Sequence, residues 1–228
     1  FGAEKQVYTG TRVDQAEFDA GLRAHMLRVY NYMVCGLLLT GILAVVVAQF
    51  SVVTNDAGQI VGLTSLGQTL FGSPLKWVVM LAPLGLVFFL SARLHKMSYS
   101  TAQTTFWVYA ALMGISLATI FMAFTGASVA RVFFITAGTF AGMSLWAYTT
   151  KKDLSGWGSF LFMGLIGIII AMIVNIFIGS SALQFAISVI GVLVFVGLTA
   201  YDTQNIKNEY AEHYDEETQG KLAISGAL

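Results

Sequence analysis

The chain has 228 residues, of which 57% are hydrophobic and 11% are charged, and its mean hydropathy is +0.75. Soluble domains carry about 25% charged residues, so this composition excludes a soluble globular domain and predicts an all-α, polytopic membrane helix bundle. The 12 basic and 12 acidic residues balance, which excludes the charge excess typical of nucleic-acid-binding proteins.

Common motifs of enzymes are absent from the sequence. It contains no HExxH, GxSxG, Walker or GxGxxG pattern, and His25, His95 and His213 are far apart along the chain. Cys35 is the only cysteine, so an intrachain disulfide and a cysteine-based metal cluster are both excluded. We therefore expect neither enzymatic activity nor a bound cofactor.

The chain divides into three regions by composition. Residues 1–22 are polar and of mixed charge, which favours a mobile N-terminal tail in water, and no cleavable signal peptide is visible there. Residues 23–206 form a transmembrane helix bundle, because they hold apolar runs long enough to cross a ~30 Å hydrocarbon layer. Residues 207–228 are a cytoplasmic tail. The predicted spans are 28–50, 75–94, 101–124, 129–150, 155–178 and 181–206.

Two features lie between and within these spans. Residues 51–74 contain one acid and no base, and predict a loop with a short interfacial helix over Leu63–Phe71. Pro83 removes a backbone hydrogen bond from the second span and predicts a kink there. Asn175, Ser116 and Ser144 are polar within apolar runs and are expected to bond across helices or to pack between them.

The basic residues are distributed unevenly about the six spans. Lys76 and Arg131 fall on one side of the membrane, and all the others fall on the opposite side: Lys5, Arg12, Arg23, Arg28, Arg93, Lys96, Lys151, Lys152, Lys207 and Lys221. The positive-inside rule therefore predicts a cytoplasmic N-terminus.

The sixth span ends at a single acid, Asp202. Counted from Ser181, this residue lies ~32 Å along the helix axis, near the cytoplasmic boundary of the bilayer. An ionisable residue at the end of a span is a candidate functional site, since charge is costly to remove from water. An ordinary interfacial acid wetted by headgroup water is the alternative.

The residues that share the helix face of Asp202 form a slightly polar and locally narrow stripe. In one interpretation they line a pore that is constricted at a phenylalanine, and in the other their small side chains allow close helix packing. The stripe consists of Gln184, Ser188, Gly191, Phe195 and Thr199.

Arg93 is the best candidate partner for Asp202. It ends the second span ~27 Å from the outer boundary, so the two residues can lie at the same depth. Pairing would keep the carboxylate charged to lower pH, whereas burial or a second carboxylate would favour its protonation nearer to neutrality. Asp202 is also the best candidate to contact a metal ion.

The motif Gly197–Lys207 (GLTAYDTQNIK) resembles that of the Bax inhibitor family, also called the transmembrane Bax inhibitor motif family, and especially its bacterial branch. The resemblance extends over Tyr109–Ser116, Thr125–Thr150 and Gly179–Leu228. It implies a seven-helix fold in which six spans surround a central helix that would follow Leu228. It also implies location in a bacterial inner membrane.

The resemblance further implies a pH-sensitive calcium leak channel, with calcium ions as the transported species. In this family two aspartates share a proton and exchange partners with an arginine. Asp202 matches the first aspartate, Arg93 is the best match for the arginine, and the second aspartate would follow Leu228. Some members carry an acid in the second span where this chain has Pro83, which argues against a calcium site built on that carboxylate.

A different class of function is also implied. Some bacterial relatives bind a membrane-anchored ATP-dependent protease and regulate it without ion flux. In this alternative residues 1–22 contact the protease, and Asp202 and Arg93 form only a structural pair.

Overall fold

The computed structural model describes residues 12–56, 59–210 and 214–228, except for the side chains of residues 12–16 and 95. In chain order the elements are α1 (Arg12–Ser51), β1 (Val52–Thr54), β2 (Ile60–Leu63), α2 (Ser65–Gly67), a π-helical turn (Gln68–Gly72), α3 (Leu75–Arg93), a 3₁₀ turn (Leu94–Lys96), α4 (Tyr99–Ala123), α5 (Gly126–Thr149), α6 (Trp157–Ile178), α7 (Ser181–Glu209) and α8 (Glu216–Ala227). Within the described residues six helices, α1 and α3 to α7, are long and apolar enough to cross a membrane. The predicted helix bundle is therefore confirmed.

The chain folds into two compact units. One contains the residues before 130 together with those after 209, and the other contains residues 130–209. Asp202 belongs to the second unit and Arg93 to the first.

Helix α1 is longer than the first predicted span. It begins at Arg12, so residues 12–22, which were expected to be part of a mobile tail, are helical. The reason is that this stretch has apolar residues to bury: Leu22 is in the core, and the Phe18 ring lies 5.4 Å from that of Tyr210. The remainder of the predicted tail, residues 1–11, lies outside the described residues.

Helices α1 and α4 pack closely through small residues. A Cβ atom on Gly114 would lie 2.6 Å from the carbonyl oxygen of Thr40, so only glycine fits there. The Thr40 hydroxyl donates a hydrogen bond of 2.8 Å to the carbonyl oxygen of Ala110. This contact holds the middle of α1 against α4.

A polar cluster joins α1, α4 and α8. The hydroxyls of Tyr32 and Tyr99 are hydrogen-bonded at 2.5 Å, and Gln103 Nε2 donates to the Tyr32 hydroxyl at 3.0 Å. The Tyr99 ring also packs on Gly220 of α8, where a Cβ atom would lie 2.6 Å from it. Helix α8 therefore packs on α4 within the first unit, through residues that the sequence pattern did not single out.

The segment between α1 and α3 contains a β-hairpin that was not predicted. Strand β1 pairs antiparallel with β2, with Val52 opposite Leu63 and Thr54 opposite Ile60. The short helical turns follow at Ser65–Gly67 and Gln68–Gly72, near the predicted interfacial helix. Valine and isoleucine favour extended backbone, which explains the strands. Further on, α3 continues through Pro83, which is buried.

The second unit turns sharply between α6 and α7. Gly179 adopts a left-handed φ of 66°, and its N–H donates to the Asn175 carbonyl oxygen at 2.8 Å. Asn175 Oδ1 accepts from the N–H of Ser180 at 3.0 Å. The Asn175 side chain thus bonds within this turn, and not across helices as one interpretation of the sequence had it.

Candidate functional site

The motif GLTAYDTQNIK occupies the last turns of α7, and two of its residues pack on α6. A Cβ atom on Gly158 would lie 2.5 Å from the ring of Tyr201, so the tyrosine rests directly on the backbone of α6. Gly197 is matched in the same way to Leu161, whose side chain would lie 2.6 Å from an added Cβ atom. These contacts set the distance between α6 and α7.

Two further residues of the motif hold α5. Thr203 is buried and donates to the hydroxyl of Ser144 at 3.3 Å, which confirms the expected cross-helix bond of Ser144. Lys207 Nζ donates to the carbonyl oxygen of Tyr148 at 2.9 Å and lies 5.3 Å from the centre of its ring. Because α5 ends at Thr149, this ammonium meets the negative end of the helix dipole and one of the last carbonyl groups.

Gln204 fixes the loop between α5 and α6. Its Oε1 accepts from the N–H of Leu154 at 2.7 Å, and its Nε2 donates to the carbonyl oxygen of Lys152 at 2.8 Å. Both functions of the amide are therefore used on one short loop. At the end of this unit that is predicted to face the cytoplasm, α7 is therefore bonded both to α5 and to the α5–α6 loop.

Asp202 differs from these neighbours. The residues that pack on α6 and those that hold α5 lie on other faces of α7, and the Asp202 side chain is exposed between them. Among the described residues of its own unit, the Asp202 carboxylate makes no hydrogen bond and no ion pair. Tyr201, Thr203, Gln204 and Lys207 position the helix, and the carboxyl group of Asp202 is left without a partner among the described residues of this unit.

The predicted stripe lies on the same side of α7 as Asp202. Gln184, Ser188 and Phe195 are exposed, Thr199 is half-buried and Gly191 is buried. The Ser188 and Thr199 hydroxyls donate to the carbonyl oxygens of Gln184 and Phe195, each at 2.9 Å, within the helix itself. Their polar atoms are therefore satisfied without a partner helix, and a role in lining a pore stays a prediction.

Arg93 is the last residue of α3, and its side chain is exposed. The predicted pairing of Arg93 with Asp202 stays a prediction. The described residues contain no group of three or more histidine, cysteine, aspartate or glutamate residues that could hold a metal ion. A carboxylate such as that of Asp202 supplies the oxygen ligands that calcium prefers.

His25 is a buried polar residue that sequence reasoning passed over. It is 4% exposed, its ring lies 5.6 Å from that of Tyr210, and neither ring nitrogen is hydrogen-bonded among the described residues. Gln204 and Lys207 were missed as well. Their partners lie 50 and 59 residues away in the chain, so no local pattern reveals them.

Comparison with known proteins places these features in a family. The model of the family described as inhibitor of apoptosis-promoting Bax1 matches residues 22–228. An uncharacterised protein of Rickettsia prowazekii is 45% identical over 92% of this chain and 84% of its own length. The inner membrane protein YbhL of Escherichia coli K12 is 44% identical over 92% of this chain and 85% of its own length. The chain is an integral membrane protein and belongs to the Bax inhibitor family, in its bacterial branch.

Proposed function

We propose that this protein is a pH-sensitive calcium leak channel in which Asp202 is the switch. The observation that carries the proposal is the contrast within the motif. Tyr201, Thr203, Gln204 and Lys207 each hold a neighbouring helix or loop, whereas the Asp202 carboxylate makes no bond within its own unit. A switch needs a group that can change partner on protonation, and a rigid frame that keeps this group in place.

The proposed partner of Asp202 is Arg93. Arg93 ends α3, and from the order of the spans we infer that the ends of α3 and α7 share the side of the membrane that carries most of the basic residues. We place this side and the N-terminus in the cytoplasm, and the protein in a bacterial inner membrane. A charged Asp202 would attract the guanidinium of Arg93, and protonation would remove that attraction. Calcium is then the transported ion, with Asp202 as an oxygen ligand at the mouth.

Calcium influx into liposomes tests this proposal. The purified protein is reconstituted, and influx is measured at mildly acid and mildly alkaline pH for the unchanged chain and for Asp202→Asn. Asp56→Asn is the matched control, since it is the same chemical change at an exposed residue of the hairpin turn. We expect the influx to depend on pH in the unchanged chain and in the control, and to lose that dependence in Asp202→Asn. Influx equal to that of empty liposomes at both pH values would refute the channel.

The alternative is a regulatory protein that binds a membrane-anchored ATP-dependent protease. It is supported by the N-terminal part of α1, which is helical and packs on Tyr210 while exposing Glu17, Asp19 and Arg23. Charge reversal at Glu17 and Asp19 would then abolish co-purification of the protease from bacterial membranes, and charge reversal at Asp56 would not. Unchanged co-purification after both reversals argues against this surface.

A further inference from the structure

The hairpin between α1 and α3 exposes apolar side chains on both of its faces. Cross-strand partners share a face, so Val52 and Leu63 lie on one side of the ribbon and Val53 on the other. Val61 has no cross-strand partner, because the register shifts at this point, and it is 62% exposed. Val53 and Leu63 are 46% and 40% exposed. Neither face of the ribbon is the polar face that a hairpin in water would present.

Such a ribbon is not stable in water on its own. Two-stranded hairpins are marginal by themselves, and apolar surface left in water forgoes about 25 cal/mol for each Å². The side chains must therefore be covered by lipid or by another protein. The position of the hairpin in the fold decides between these two.

Both ends of the hairpin segment are fixed to helices that are long enough to cross the membrane. β1 follows α1 directly, and α3 begins at Leu75. The Thr64 hydroxyl donates to the carbonyl oxygen of Phe50 at 2.7 Å, and its N–H donates to that of Ser51 at 3.0 Å. Gly67 then packs so closely on Ser51 that an added Cβ atom would overlap the carbonyl oxygen. The base of the ribbon is thus held against the end of α1.

The residues next to the hairpin have the character of a membrane boundary. Phe50 is 68% exposed at the end of α1, and Trp77 is 60% exposed at the start of α3. Lys76 Nζ lies 5.6 Å from the centre of the Trp77 ring. Exposed aromatic residues and lysines are typical of helix ends at the lipid headgroups. The apolar strands of the hairpin start directly after Phe50 and Ser51, at one of these helix ends.

The tip of the hairpin is polar. Asn55 Nδ2 donates to Gln59 Oε1 at 3.2 Å, and the N–H of Gln59 donates to Asn55 Oδ1 at 2.8 Å, which closes the turn. Asp56 beside them is the only charged residue between Ser51 and Leu75. Apolar strands and a charged tip fit a ribbon at the headgroup boundary, where its apolar side chains reach the acyl chains while the open strand edges and the turn stay in contact with water.

We infer that the hairpin Val52–Leu63 is a membrane-interface anchor, with lipid as the partner of its apolar side chains. The side chains of Val53, Val61 and Leu63 contact the headgroup ends of the acyl chains, the open strand edges stay hydrated, and Asp56 reaches the water. The anchor keeps the ends of α1 and α3 at the depth of the headgroups.

Site-directed fluorescence tests the anchor. Cys35, the only cysteine, is first replaced by alanine, and single cysteines are then placed at Val61, at Val53 or at Asp56 and labelled with an environment-sensitive fluorophore in the full chain. Each protein is reconstituted in liposomes, where nitroxide lipids report on contact with acyl chains and iodide reports on contact with water. We expect the labels at 61 and 53 to be quenched several-fold more by shallow nitroxide lipids than by iodide, and the label at 56 to show the reverse.

Equal and strong quenching by iodide at all three positions would overturn the inference. Shielding from both quenchers at 61 and 53 would also overturn it, because the cover would then be protein, either a second copy or another part of the chain. The labels at 61 and 53 occupy different places on the ribbon. If both give the same quenching pattern, the result reflects the position of the hairpin and not a local disturbance caused by one label. The test does not measure calcium flux, so its result is valid even if the protein is not a calcium channel.

Discussion

Gln204 accepts a hydrogen bond from the backbone N–H of Leu154 at 2.7 Å, although 50 residues separate the two in the chain. Through the same amide Gln204 donates to Lys152, so the α5–α6 loop is attached to the helix that carries Asp202. The loop therefore cannot move without either breaking these bonds or moving α7. This relationship leads to the first of four predictions.

Gln204→Ala is expected to release the α5–α6 loop. It removes both bonds, each of which contributes about 0.5–1.5 kcal/mol at most, and leaves the N–H of half-buried Leu154 without its partner, whereas the exposed carbonyl oxygen of Lys152 can bond to water. Lys151 and Lys152 are trypsin sites within this loop, so limited trypsin digestion of the protein in lipid bilayers should cut it several-fold faster. Gln184→Ala on the same helix is the control, since the Gln184 side chain is exposed and should not change the cleavage rate. Equal rates in the two variants would contradict this role of Gln204.

Gly158→Ala and Gly167→Ala should have opposite effects, although both lie in α6. A methyl group at Gly158 would lie 2.5 Å from the Tyr201 ring, whereas at Gly167 it would meet nothing within 4 Å. We expect a loss of about 1–3 kcal/mol for Gly158→Ala from overpacking, and a gain of up to about 1 kcal/mol for Gly167→Ala from helix propensity. Unfolding of the purified proteins in mixed micelles with increasing denaturing detergent measures both. A neutral Gly158→Ala would show that Tyr201 is free to move off α6.

His25→Leu is expected to stabilise the protein. The imidazole of His25 is buried with neither nitrogen paired among the described residues, and an unpaired buried polar group costs about 1–3 kcal/mol. The same micelle unfolding experiment should therefore show a higher free energy of unfolding. Two serines provide the control, because Ser51 is buried without a hydrogen-bonded side chain in the described residues and Ser144 is buried and bonded to Thr203. Ser51→Ala should be neutral or stabilising and Ser144→Ala destabilising.

Glu217 should not contribute to a pH response near neutrality. Lys221 Nζ lies 2.9 Å from its carboxylate and lowers the pKa of Glu217 from its usual value of 4.5. The pKa of Glu217 is lower in the folded protein than in the unfolded chain. The pair therefore stabilises α8 fully when the pH is above the unfolded-state pKa, and this stabilisation is lost as the pH falls through the folded-state pKa. Glu217→Gln should therefore leave the pH dependence of calcium influx between mildly acid and mildly alkaline pH unchanged. A shift of its midpoint would show that α8 takes part in the switch.

Much of the fold follows from the sequence because apolar runs of sufficient length have few alternatives to helices in a membrane. The six spans and the Ser144 bond were predicted on this basis, and the family was identified from Gly197–Lys207. The start of α1 and the hairpin were not. The start of α1 depends on a contact with a residue far along the chain, Tyr210, and the hairpin depends on the bonds of Thr64 to Phe50 and Ser51. These contacts override a locally polar or glycine-containing sequence.

Only part of the candidate site was predicted, for a similar reason. Asp202 is recognisable as an acid at the end of an apolar run, which is a local feature. Gln204 and Lys207 resemble ordinary residues of a solvated helix end, and only their bonds to Lys152, Leu154 and Tyr148 show what they do. The functional partner of a residue is a property of the fold, and the residues that support a site are therefore harder to find than the charged group at its centre.

The length of α1 has a mechanical consequence. Its 40 residues form one uninterrupted rod of ~60 Å, about twice the thickness of the hydrocarbon layer. Helix α8 and Tyr210 lie against one end of the rod, and the hairpin is attached to the other. A push or tilt applied to one end of α1 is therefore transmitted to the other end, on the opposite surface of the membrane, through a single helix.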